Sequence, residues 1–100
     1  IVRQRLITAG FTVVQQVQFP GMRVDMQVVG TRVLLEVDSE EFHGSSEAQE
    51  RDGRRDEALA AMGFSVVRLP FERIFGDWPW CLQRIRLAIA DPPWLSSFRR

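Results

Sequence analysis

The chain has 100 residues, of which 45% are hydrophobic, enough for one compact domain with a core and too few for a second. Thirteen basic and thirteen acidic residues cancel, which excludes the strong positive field that many nucleic-acid-binding domains carry. The single cysteine, Cys81, excludes an internal disulfide, and no apolar run approaches the ~18 residues of a membrane span. These features lead us to expect a soluble cytoplasmic protein with no membrane partner. Every basic residue is an arginine and none is a lysine, so any lysine-dependent step is ruled out while bidentate contacts to phosphate or carboxylate are favoured. The chain begins at Ile1 and opens directly into a helical pattern. We therefore expect residues 1–100 to be a single domain forming the C-terminal part of a longer protein, with a fused N-terminal domain as a candidate partner.

Val2, Leu6 and Ile7 recur at helical spacing between Ile1 and Ala9, and Gly10 then supplies the left-handed residue that ends many helices. Thr12 to Phe19 reads as a strand closed by Pro20-Gly21. Met22 to Val29 and Arg32 to Asp38 are two more strands, and Gly30-Thr31 between them predicts a two-residue type II′ hairpin with glycine at its first central position. Residues 40–46 read as a loop. Ser45 or Ser46 caps a helix that runs to about Met62, with Ala48, Arg55, Leu59 and Met62 along one face and Gly63 as its stop. Phe64 to Leu69 is a short apolar strand. Pro70 to Ile74 is irregular or helical, and Trp78 to Ala90 is a last helix with Leu82, Ile85 and Ile89 as its buried stripe, ended by Asp91-Pro92-Pro93. The order α-β-β-β-α-β-α predicts an α/β or mixed α+β fold, one mixed four-stranded sheet flanked by helices.

In the second strand Val24, Met26 and Val28 alternate with Arg23, Asp25 and Gln27, so the two sets should occupy opposite faces. With a two-residue turn at 30–31, Asp25 falls opposite Glu36, and Arg23 opposite Asp38. Like charges in directly opposed positions are unfavourable unless compensated. A hard divalent cation would compensate them, since Mg²⁺ takes one or two carboxylates and fills its other positions with water and substrate phosphate.

Five ordered stretches carry a resemblance: Arg23-Val24-Asp25, Leu35-Glu36-Val37-Asp38, Phe42-His43-Gly44, Asp52 through Arg55-Asp56, and Gly63-Phe64-Ser65-Val66-Val67-Arg68. Together they resemble the bacterial domain of unknown function 559 family, related to the very short patch repair endonucleases of the PD-(D/E)XK superfamily. The resemblance implies a restriction-endonuclease-like core, a Mg²⁺- or Mn²⁺-dependent DNA endonuclease activity, and Asp25 and Glu36 as the metal-binding acids. Asp38 stands where the superfamily usually has its lysine. His43 approximately matches a histidine that takes part in catalysis in the repair endonucleases, so His43 or Asp38 is expected to handle the proton of the attacking water.

Arg51, Arg54 and Arg55 are expected to contact nucleic-acid phosphates, with Arg55 preferred because Arg55-Asp56 matches the family pattern. Gly53 stands where relatives tend to carry another arginine. Trp78, Trp80 and Trp94 are expected to be structural. The alternative class is a catalytically silent nuclease-fold module that binds nucleic acid or protein in a regulatory role, for which the missing lysine and the neutral charge speak.

Overall fold

A computed structural model describes residues 1–38 and 46–91. The elements follow the predicted order: α1 (Val2–Thr8), β1 (Val13–Phe19), β2 (Met22–Val28), β3 (Val33–Asp38), α2 (Ser46–Ala61), β4 (Ser65–Pro70), a short helix α3 (Phe71–Gly76) and α4 (Trp78–Ala90). The four strands form one sheet in the order β1-β2-β3-β4; the first three are antiparallel, and β4 runs parallel to β3 after the α2 crossover. This is the mixed sheet flanked by helices that the sequence predicts.

Local chemistry sets the helix ends. Gly10 (φ 96°) and Gly63 (φ 89°) both adopt the left-handed conformation. In each case the glycine N–H and the next N–H reach back to the last turn: Gly10 to the Ile7 carbonyl and Phe11 to that of Leu6, Gly63 to Ala60 and Phe64 to Leu59. This double bond pattern satisfies two otherwise orphaned carbonyls per helix. At the start of α4, the Asp77 carboxylate accepts from the Trp80 N–H at 3.3 Å, capping a helix that carries Pro79 in its first turn.

The sheet separates two apolar layers. On one face Leu6, Val13, Met26, Val28, Val33, Leu35, Val67, Leu69, Ile74, Cys81 and Ile85 form the main core beneath α1, α3 and α4. Burial raises the pKa of the Cys81 thiol, so the cysteine behaves as a small apolar side chain. On the other face, under α2, only Val24, Leu34 and Leu59 are fully enclosed, with Phe19, Met22, Phe64 and Val66 around them. The rest of that face is charged.

Two local predictions are corrected. The β2–β3 connection is longer than two residues: the Thr31 N–H donates to the Val28 carbonyl at 3.2 Å, and Gly30 sits at the third position of that turn with φ 81°. The Thr31 hydroxyl also donates to Val28 at 2.8 Å and accepts from the Val33 N–H at 3.0 Å, so a side chain completes the turn that the backbone alone was expected to make. The register survives, because Met26 still pairs with Leu35 and Gln27 with Leu34.

Val24 is the second correction. Instead of sharing the Met26–Val28 face it joins Leu34 and Leu59 on the opposite one. On β1, next to Val24's partner Val17, Gln16 takes φ 55°, the one positive φ outside glycine among the described residues, in a strand whose other residues pair from Val13↔Val28 to Phe19↔Met22. A left-handed residue interrupts the pleat, so the outer half of the β1–β2 hairpin turns its side chains to the other layer.

Candidate active site

The interruption of the pleat falls at Asp25. The β2–β3 ladder ends with Met26↔Leu35, and the next amide on β3 that faces β2 would lack a backbone acceptor. The Asp25 carboxylate fills that role, with Oδ2 accepting from the Val37 N–H at 2.9 Å. Asp25 is thereby fixed beside Glu36, the neighbour that the register predicts for it.

Glu36 is the one charged residue with a buried position in the described structure, 8% exposed. Its carboxyl is pushed up to about 7 from an ordinary value of 4.5, first by burial, then by the hydrogen bond and negative charge of Asp25. The guanidinium of Arg55, reaching down from α2, pulls in the opposite direction and forms an ion pair with Glu36 Oε1. Arg55 also donates to the Arg23 carbonyl. Oε1 is fully enclosed, with the Arg55 guanidinium as its ion-pair partner.

Beside this pair lies a second charged group centred on Arg68, which the parallel register sets next to Glu36. Its guanidinium contacts Asp56 at 2.8 Å and Asp38 and Asp52 at 3.6 Å each. Desolvation works against the charge of Arg68 and the three aspartates outweigh it, so the pKa is raised. Asp38 is thus engaged by Arg68 from β4; Arg23, its expected partner across the hairpin, is exposed and makes no ion pair among the described residues.

The structure therefore brings Asp25, Glu36, Asp38 and Arg55 to one end of the sheet. Arg51 and Arg54 lie on the outer surface of α2, exposed and without ion pairs to described residues. His43 and Trp94 fall outside the described residues. Trp78 and Trp80 pack against the main core, Trp80 between the guanidinium groups of Arg73 (4.6 Å) and Arg84 (5.5 Å). Arg68 is the site residue to which the sequence reading gave no role. Its signal was an arginine inside an otherwise apolar strand, which demands acidic partners wherever the strand is covered.

The two adjacent carboxylates suit a hard, oxygen-seeking cation. Among the described residues no group of three or more His, Cys, Asp or Glu side chains gathers, so a cation held here would rest on these two carboxylates. Two carboxylates leave the remaining positions of a Mg²⁺ or Mn²⁺ ion to water and phosphate.

A mixed four-stranded sheet flanked by helices is compatible with a restriction-endonuclease-like fold. The family model of REase_MTES_1575, a restriction-endonuclease-like family, matches residues 1–89, and the chain belongs to that family. No curated protein and no solved structure matches the chain. No helix among the described residues is long and apolar enough to cross a membrane.

Proposed function

We propose that this domain is a divalent-metal-dependent DNA endonuclease, akin to the very short patch repair enzymes that its motifs resemble. The observation that carries the reading is the pair Asp25 and Glu36: two acids fixed side by side at the end of the β2–β3 ladder, one of them buried. Asp25 and Glu36 would hold Mg²⁺ or Mn²⁺. When bound, such an ion supplies Lewis-acid polarisation of the scissile phosphate and lowers the pKa of water.

The protein residues around it divide the remaining work. Asp25, locked by the Val37 N–H, keeps one oxygen for the cation. Glu36 must lose its proton and loosen its pair with Arg55, which frees a guanidinium for a phosphate oxygen. Arg51 and Arg54, already exposed on α2, add contacts that position the DNA backbone. His43 or Asp38 takes the proton of the attacking water. DNA is the substrate because the families that the motifs resemble act on DNA.

One observation favours a second reading, a silent nuclease-fold module. Arg55 already neutralises Glu36, and Arg68 already engages Asp38, so the charged face is internally compensated without a cation. Incubating supercoiled and single-stranded DNA with the protein, with and without Mn²⁺, separates the two. Strand cleavage that appears only with Mn²⁺ is the expected result; intact DNA under both conditions favours the silent module.

A further inference from the structure

Three carboxylates on one guanidinium is more than charge balance requires. Asp52 and Asp56 lie on α2, Asp38 on β3 and Arg68 on β4, so a single side chain ties the crossover helix to both strands that flank it. Asp52 and Asp56 also bracket Arg55 in sequence, and Arg55 is the residue that reaches Glu36. We propose that Arg68 is a positioning residue of the site. It discharges Asp38 and holds α2 so that Arg55 stands over Glu36, and thereby sets how negative the cleft is toward both cation and DNA. The inference rests on the metal-dependent reading above and names the residue that tunes it.

The charge argument gives a sign that a merely structural role would not. Removing the Arg68 charge leaves Asp38, Asp52 and Asp56 uncompensated beside Asp25 and Glu36. A more negative cleft binds a cation more tightly and repels phosphate. A unit charge ~10 Å from a divalent cation alters its affinity by roughly fourfold at the dielectric of bulk water and by a few hundredfold at an effective dielectric of ~20. A role confined to packing predicts the reverse for the cation, since a loosened α2 and a disordered carboxylate pair would weaken binding.

The test is a Mn²⁺ titration followed by electron paramagnetic resonance on wild type, Arg68→Gln, Asp38→Asn and the double variant, with DNA affinity and melting temperature measured on the same samples. We expect Arg68→Gln to tighten Mn²⁺ by at least roughly fourfold and to weaken DNA binding. Asp38→Asn should do the opposite, and the double variant should return toward wild type in both. Asp38→Asn keeps the α2–β4 ties of Arg68 intact, so it tests the sign even if Arg68→Gln fails to fold. Weaker Mn²⁺ binding in a folded Arg68→Gln, or unchanged Mn²⁺ binding in Asp38→Asn, overturns the inference while leaving the metal reading standing. Wild type that binds no Mn²⁺ overturns both.

Discussion

The two faces of the sheet are built on different principles. Beneath α1, α3 and α4 the side chains are apolar and fully enclosed, from Leu6 through Leu35 and Leu69 to Ile85, and this layer holds the domain together. Under α2 only Val24, Leu34 and Leu59 are enclosed. Phe19, Met22, Phe64 and Val66 pack around them half-buried, and beside them Arg55 pairs with Glu36 and Arg68 with Asp38, Asp52 and Asp56. The difference teaches that one face supplies the apolar core while the other keeps a buried acid among charged side chains.

Adjacent residues on β3 offer the sharpest contrast. Leu34 and Leu35 are both fully buried, yet they point into different layers. Truncation of a buried leucine to alanine costs about 2–5 kcal/mol, more where the surroundings cannot collapse. Leu35→Ala should fall at the upper end of that range and Leu34→Ala at the lower, measured by urea unfolding. Equal losses would break the distinction between the faces.

A pH series tests the charged face. With Glu36 at about 7 in the fold against 4.5 unfolded, the folded state binds the extra proton. Its contribution is therefore fully present below pH 4.5 and is lost as pH rises to about 7. The full loss is at most about 3.5 kcal/mol, at ~1.4 kcal/mol per pH unit. In metal-free buffer wild type should lose stability across that window, and Glu36→Gln should not. A cation acts in the opposite sense, because it needs the ionised carboxylate, so Mg²⁺ should stabilise more as pH rises. A wild-type stability that is flat or increasing from pH 4.5 to 7 relative to Glu36→Gln would refute the buried-acid account.

The smallest stability effect belongs to the outer surface of α2. Arg51→Ala and Arg54→Ala should leave stability within ~0.5 kcal/mol of wild type. Each should reduce DNA affinity and flatten its dependence on salt by about one unit of slope. Unchanged affinity would remove these arginines from the interface.

Much of this architecture was legible in the sequence because its causes are local. Gly10 and Gly63 mark helix ends through their own backbone freedom, and of the stripe expected in Trp78–Ala90 Ile85 is fully buried and Ile89 packs on the core, while Cys81 takes the buried place expected for Leu82. The register that sets Asp25 beside Glu36 also followed, even though the turn that fixes it differs: the Thr31 hydroxyl, not a type II′ backbone, closes it. What escaped depends on residues far apart in sequence. The switch of Val24 to the α2 layer coincides with the left-handed Gln16 on the neighbouring strand, and nothing in the pattern of β2 foretells it. The partner of Asp38 sits thirty residues away on a parallel strand, where hairpin geometry gives no guidance, so Arg23 looked like the natural choice.

The central claim is that Asp25 and Glu36 share a divalent cation, and the Mg²⁺-induced rise in melting temperature tests it most directly when wild type is compared with Asp25→Asn. Asparagine is the informative replacement because its carbonyl can still accept from the Val37 N–H that Asp25 now satisfies, whereas alanine would strand that amide at a cost of about 1–3 kcal/mol. Since a ligand that binds only the folded state stabilises it by mass action, wild type should melt at a higher temperature as Mg²⁺ is added, and Asp25→Asn, equally folded without metal, should not respond. An equal shift in both proteins, or none in wild type, would contradict the account.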